Sequence, residues 1–333
     1  MKFKLPLLII GALFLATTLL LVAGISPVEA GYQLILGSLG SARALTDTLR
    51  NMTPMLIAGT AIYLALRAGL FNIGVEGQLL LGAMVATFIG LKIPGLLGIV
   101  LGTVAAIIAG ALWALPAGLI KAYRGGHEVI TTIMLNSIAG YLVSALVSGP
   151  LKDPTQEGPT TAFLSENTRI PALFSMGRHS LTINLALLMG LILFIGFLVW
   201  LKRTVSGYEL KTVGANSKAA RAAGVNVERV IVKAMVYSGA IAGLAGAFQA
   251  LAYAGRFYQG FSPGYGFDAL GVALLAGNTP GALLATSFLF GALNKGASVI
   301  QLFGVPKGFG SVILGLLIIC FAAYRYRKLP TYD

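Results

Sequence analysis

Lys202-Arg203-Thr204-Val205-Ser206-Gly207-Tyr208-Glu209-Leu210-Lys211, continued by Ala215-Asn216-Ser217-Lys218-Ala219-Ala220-Arg221-Ala222-Ala223-Gly224, is a polar, basic passage set into an otherwise apolar chain. Before it, residues 181–201 form an apolar run that closes on Trp200-Leu201-Lys202-Arg203, an interfacial aromatic followed by positive charge. After it, residues 232–254 form another. The passage reads as a short helix on a loop rich in Lys and Arg. Asn216 or Ser217 can cap that helix, the alanines favour it, and Gly224 can stop it. A structured basic loop between two membrane runs is offered to something on its own side of the bilayer, and a soluble partner that supplies energy is the natural candidate.

Composition fixes the class. Of 333 residues, 57% are hydrophobic and 11% charged, with a mean hydropathy of +0.86; soluble domains carry roughly 25% charged residues. Apolar runs near the length that crosses a bilayer core of about 30 Å recur along the chain. They are continuous rather than alternating, which selects helices over a barrel. The 43 glycines fit close helix packing in lipid. The net charge of +13 does not point to nucleic acid, because Lys and Arg lie between runs rather than on one soluble face. The single cysteine, Cys320, lies in an apolar run and excludes an intrachain disulfide.

Spans are expected near 5–24, 54–70, 74–91, 96–120, 128–149, 181–201, 232–254, 280–299 and 308–324. A shorter apolar piece at 268–277 is too brief to cross straight. Pro54 stands where a helix starts. The N-terminal run is longer than a signal-peptide core and reads as an uncleaved span. The fold class is therefore an all-α polytopic membrane protein of about ten segments, one transmembrane domain over 1–333. Most of the 24 Lys and Arg fall on one side, with Lys2 and Lys4 at one end and Arg325, Arg327 and Lys328 at the other. That places both termini and the 202–231 loop in the cytoplasm, and the polar 150–180 segment outside. Gly69-Leu70-Phe71-Asn72-Ile73-Gly74-Val75-Glu76-Gly77 and Gly264-Tyr265-Gly266-Phe267-Asp268 each precede an apolar run. This weak symmetry suggests two inverted halves with broken helices.

Few polar side chains lie at membrane depth. Glu76, with Asn72 and Gln78 beside it, should face the interior or a cavity, as a buried hydrogen-bond network at a helix break or in contact with a solute. Glu128 opens a span, where the helix dipole stabilises a carboxylate, and Asn136 lies two turns deeper. Asp268 caps the short segment or lines a path. Asn278-Thr279-Pro280-Gly281 is a turn in what should be membrane interior, tolerated where it is buried in protein or lines a cavity. His127 and His179 fall on opposite sides and make no metal pair. The sequence contains no phosphate-cradling loop and no nucleophile motif. No cofactor is expected, and any ATP hydrolysis belongs to another chain.

Gly69-Leu70-Phe71-Asn72-Ile73-Gly74-Val75-Glu76-Gly77-Gln78 resembles the signature of ABC-importer permeases of the branched-chain amino acid and ribose superfamily, in its nucleoside and simple-sugar branch. Glu128-Val129-Ile130-Thr131-Thr132-Ile133-Met134-Leu135-Asn136 is similar to that branch's second motif, and Gly266-Phe267-Asp268-Ala269-Leu270-Gly271 to its second-half motif. Gly207-Tyr208-Glu209-Leu210-Lys211 with Asn216, Ala219, Ala220, Arg221, Ala223 and Gly224 resembles its cytoplasmic coupling segment. The resemblance implies a plasma-membrane importer subunit working by alternating access. Its implied partners are a cytoplasmic ABC ATPase, a second permease (a heterodimer) and an extracellular substrate-binding protein. Asn72, Glu76, Gln78, Asn136, Asp268 and Asn278 are then candidates for the substrate pathway. An ion-coupled secondary transporter, with Glu76 and Asp268 as coupling carboxylates, is the other class that inverted halves accommodate.

Overall fold

A computed structural model describes residues 24–175 and 182–305, with positions 14, 17–18, 20–22, 310, 312 and 315–316. The first and last expected spans, Cys320, His179 and the terminal Lys and Arg clusters fall largely or wholly outside the described residues. The architecture is helical: α1 Pro27–Leu39, α2 Ala42–Arg67, α3 Val75–Lys92, α4 Leu96–Arg124, α5 Glu128–Ser148, α6 Leu185–Arg203, α7 Val205–Ala215, α8 Ser217–Ala222, α9 Val227–Phe248, α10 Tyr265–Ala276 and α11 Ala282–Ile300. A two-stranded sheet, β1 Ala172–Ser175 with β2 Thr182–Asn184, interrupts the loop before α6. Among the described residues, six helices are long and apolar enough to cross a membrane: α3 to α6, α9 with its extension to Ala254, and α11 with its extension to Phe303.

Two compact units emerge. The larger comprises Thr53–Leu173 and Asn184–Leu270. Its centre is α3, α4 and α9, which meet backbone to backbone through small residues. A Cβ on Gly82 would fall 2.3 Å from the Gly243 carbonyl oxygen, and one on Gly243 would fall 2.2 Å from that of Ala106. Nothing but glycine fits this approach, because the obstructing atoms are main chain. α9 continues into a π-turn, Gln249–Ala254, ended by Gly255 at φ +68°. The connector after it is strapped to the 159–170 loop: Thr161 N–H donates to Phe257 O (2.9 Å), Leu164 N–H to Gly255 O (2.8 Å) and Gln259 N–H to Pro159 O (3.0 Å). In the same loop region Thr155 hydrogen-bonds Asp153 by hydroxyl and N–H, holding that exposed carboxyl below its ordinary range.

The smaller unit comprises the described parts of Met1–Met52, Phe174–Ile183 and Gly271–Asp333. Here α1 packs on α11: Gly37 abuts Val299 and Gly296 abuts Leu34. Lys295 pairs with Asp47 at 2.7 Å. Leu20, Ala30, Ile300 and Val305 form its buried apolar cluster.

Several expectations are corrected. Pro54 does not open a helix; it lies inside α2, which starts at Ala42 after Ser41 has accepted the Ala44 N–H at 3.0 Å. Helix-forming residues on the N-terminal side of Pro54 carry the helix past its lost hydrogen bond. α1, which begins at Pro27 behind the Ser26 cap, was not expected. The 202–231 passage is less of a loop than it reads, because Val205–Ala215 is helical and α9 begins at Val227. Asp268 is not an N-cap; α10 starts three residues earlier, and Ser262 Oγ accepts from Gly264 N–H (3.2 Å) and Tyr265 N–H (3.0 Å).

Candidate functional site: a buried polar break and the helix pair beneath it

After α2 ends, the chain turns through Gly69 at φ +77° and reaches α3 by way of Asn72 and Gly74. The turn is built from side chains. Asn72 Oδ1 accepts the Gly74 N–H at 3.1 Å. Its Nδ2 donates to Gln78 Oε1 (3.0 Å) and to Ser238 Oγ (2.8 Å), and Gln78 Nε2 returns a bond to Asn72 Oδ1 at 3.2 Å. Ser238 Oγ in turn donates to Ala61 O at 2.7 Å. Asn72, Gln78 and Ser238 are buried, so each bond replaces water that a buried amide would otherwise lack.

Asn136, on α5, clamps the first turn of α3. Its Oδ1 accepts the Gly77 N–H (2.9 Å) and its Nδ2 donates to Ile73 O (2.8 Å). Glu76 reaches the other way. Its Oε2 accepts the Gly266 N–H at 2.6 Å, and the Ser262 hydroxyl bonds the same carboxylate. One side chain thus ties the start of α3 to the start of α10, two helix N-termini that favour a negative charge. A Cβ on Gly266 would lie 2.5 Å from the Glu76 nitrogen, so the contact needs a glycine. Asp268 follows half-buried on the same helix. Gln249, which opens the π-turn, donates to Tyr265 Oη at 3.4 Å, while its buried Oε1 accepts nothing from the described residues.

The structure therefore gathers Asn72, Glu76, Gln78 and Asn136 around one break, with Asp268 in the first turn of α10. Asn278 is exposed in the turn between α10 and α11 and belongs to the smaller unit. Glu128 pairs with Lys121 at 2.8 Å across the link from α4 to α5. Ser238, Ser262, Gln249 and Tyr265 were missed. Ser262 was legible as a cap preceding Pro263 and Gly264; Ser238 was a lone hydroxyl in a Gly- and Ala-rich run with no local signal. Among the described residues no cluster of three or more His, Cys, Asp or Glu could hold a metal ion.

The central passage lies against Arg67–Gly69, the residues just before this break. α7 is capped by Thr204, whose Oγ1 accepts the Gly207 N–H at 3.1 Å. Gly207 fits against the Trp200 and Leu201 backbone, and Gly214 against the carbonyl of Arg67. Gly69 approaches the Gly214 Cα from the other side. α8 is capped by Asn216, whose Oδ1 accepts from Lys218 N–H and Ala219 N–H, each at 3.0 Å, and the chain turns at Gly224 with φ +84°. Ala220 is fully buried, whereas Ala219, Ala222 and Ala223 are exposed. Val205 and Tyr208 are also exposed, and Glu209 is half-buried. Arg221 forms an ion pair with Glu228 of α9.

A branched-chain amino acid transport system permease component model matches residues 44–322. The chain is 34% identical to the glucose ABC transporter permease protein TsgB13 of Haloferax volcanii, over 97% of this chain and 87% of that protein. It is 35% identical to the guanosine ABC transporter permease protein NupP of Bacillus subtilis (92% and 89%) and 31% identical to the nucleoside ABC transporter permease protein NupB of Lactococcus lactis (96% and 91%). No solved structure is significantly similar. The chain belongs to this family of ABC-transporter permeases: it is a multi-pass membrane transport subunit, not an enzyme.

Proposed function

We propose that the chain is the permease subunit of an ATP-driven importer of nucleosides or simple sugars, acting by alternating access. The observation that carries the mechanism is the seating of α7. Its two glycines lie on the end of α6 and on Arg67–Gly69, the residues just before the Asn72–Gly77 break. A push on α7 and α8 is delivered to backbone rather than to flexible side chains, and so reaches the break with little loss. Val205, Tyr208, Ala219, Ala222 and Ala223 form the exposed surface that a cytoplasmic ATPase would grip, while the buried Gly207 and Ala220 shape the pair from within and Gly224, at φ +84°, ends it.

The reading extends to a ten-segment topology in two inverted halves, with both termini and the α7–α8 passage cytoplasmic and the 150–180 segment outside. A second permease and an extracellular binding protein complete the assembly. Asn72, Gln78 and Asn136 hold the break by hydrogen bonds. Glu76 and Asp268 carry the remaining polarity along the path. The test is a purified complex with its ATPase and binding protein. Hydrolysis should rise when the binding protein is loaded with a nucleoside or a sugar. Stimulation by a branched-chain amino acid alone would overturn the assignment.

A further inference from the structure

Two arginines of the larger unit meet on one exposed ring. Arg256 lies over Phe163 with its Cζ 4.2 Å from the ring centroid, and the Arg169 Cζ is 5.6 Å from the same centroid. Both are within the reach of a cation–π contact, about 6 Å. The ring itself stays 55% exposed. Backbone fixes this arrangement. The 159–170 loop and the connector after α9 are laced together from Pro159 to Ile170, where Thr160 Oγ1 donates to Phe257 O (3.1 Å) and Ile170 N–H to Leu251 O (2.9 Å). The Arg169 guanidinium lies against Gly255, where a Cβ would fall 2.7 Å from its Cζ. Gly255 thus makes room for the guanidinium as well as ending the π-turn.

Two like charges are held side by side, and neither is neutralised. Among the described residues no carboxylate forms an ion pair with Arg169 or Arg256. Asp153, which acts on Arg256 electrostatically, commits its Oδ1 to Thr155. Arg169 Nε is buried and donates to nothing among the described residues. Tyr258, next but one to Arg256, adds a second exposed ring.

Resting on the importer reading above, we propose that Phe163, Arg169 and Arg256 form the platform on which an acidic face of the extracellular binding protein docks. Arginine and aromatic side chains are what the energetic centre of a protein interface is made of. A guanidinium fork takes a carboxylate through paired N–H···O bonds, and here the fork is already held in place by the ring and by Gly255. Exposed Glu157 and Glu166 stand in the same loop segment. They repel an anionic lipid surface, whereas a protein face can match both signs. The platform also has a route inward. The connector that carries Arg256 goes on to Ser262, which bonds Glu76 at the polar break.

The test uses the assembled complex in nanodiscs of neutral lipid, with its ATPase and its own binding protein loaded with a nucleoside or a sugar. ATP hydrolysis is titrated with that binding protein for the unmodified complex, for Arg256→Glu and for Arg256→Lys. Arg256→Glu should raise the half-maximal concentration about tenfold or more, with unchanged hydrolysis in the absence of binding protein and an unchanged melting temperature. Arg256→Lys keeps the charge but not the fork, and should raise it less. The half-maximal concentration for the unmodified complex should climb with salt, and Arg256→Glu should flatten that dependence. If Arg256→Glu lowers the melting temperature, Arg256→Lys and the salt dependence of the unmodified complex decide. Titration curves that neither substitution nor salt shifts overturn the platform. A variant whose titration is normal, but whose hydrolysis no longer responds to added anionic lipid, assigns the arginines to a headgroup and overturns it as well. An unmodified complex that no concentration of binding protein stimulates sinks the importer reading on which the platform rests.

Discussion

Glu76 shows how much one side chain can hold at this site. Its carboxylate accepts the Gly266 N–H and a bond from Ser262. Glu76→Gln preserves an acceptor oxygen for Gly266 but removes the charge from two helix N-termini. The complex should assemble normally and import severalfold more slowly, measured as uptake per assembled complex. Unchanged uptake would mean that the charge has no part in transport. Gly266→Ala acts through shape alone, since the new Cβ meets the Glu76 backbone, which cannot rotate away. It should destabilise the protein by about 1–3 kcal/mol, seen as a lower melting temperature in detergent. The residue scale also marks where sequence reading stops. Asn72, Glu76 and Gln78 were legible because polar side chains at membrane depth stand out. Their partners Ser238 and Gly266 were not, because they come from 166 and 190 residues away.

At the scale of elements, the α8 helix was legible from a cap, an alanine run and a glycine stop, all local signals. α7 was not, because Gly207 and Gly214 depress helix propensity and the reason for them is a close approach to distant backbone. The true start of α2 was missed because charged residues such as Arg43, Asp47 and Arg50 hide a helix from a reading based on apolar runs, and α1 because its 13 residues are too few to read as a crossing run. The burial of Ala220 sharpens the test of docking. Ala220→Trp would disrupt the packing of α8 on its own chain, whereas Ala223→Trp adds bulk only on the outside. The Ala223 variant should insert and fold normally, retain its melting temperature, and fail to co-purify with the ATPase. Should it still bind the ATPase and transport at the normal rate, the α7–α8 pair is not the docking element.

For the whole molecule, topology decides which loops meet which compartment. Cysteines at Lys152 and Ser217, in a Cys320→Ser background, should label from opposite faces of intact cells, with position 152 accessible from outside. Labelling of both from one face would contradict the ten-segment arrangement. The class of molecule was legible from composition because bilayer solvent leaves so few choices. The helical ladder from α3 to α6 was legible to within a few residues for the same reason. The division into two units was not, since it depends on which helices share a glycine-lined seam and no local pattern records that.

The π-turn at Gln249–Ala254 has one more consequence, in the arithmetic of the chain. A π-turn is a helix carrying one surplus residue. The wide turn absorbs that residue, so the chain leaves it on the face it would have had without it. Deleting Ala252 would let α9 run on as an ordinary helix, with the connector shifted by about 1.5 Å along the axis and hardly turned. Ser262 would then still point towards Glu76, but from one residue closer. Such a deletion should produce a well-inserted protein with a near-normal circular dichroism spectrum and uptake that is lowered rather than abolished. The surplus residue thus adjusts the reach of the helix without turning it.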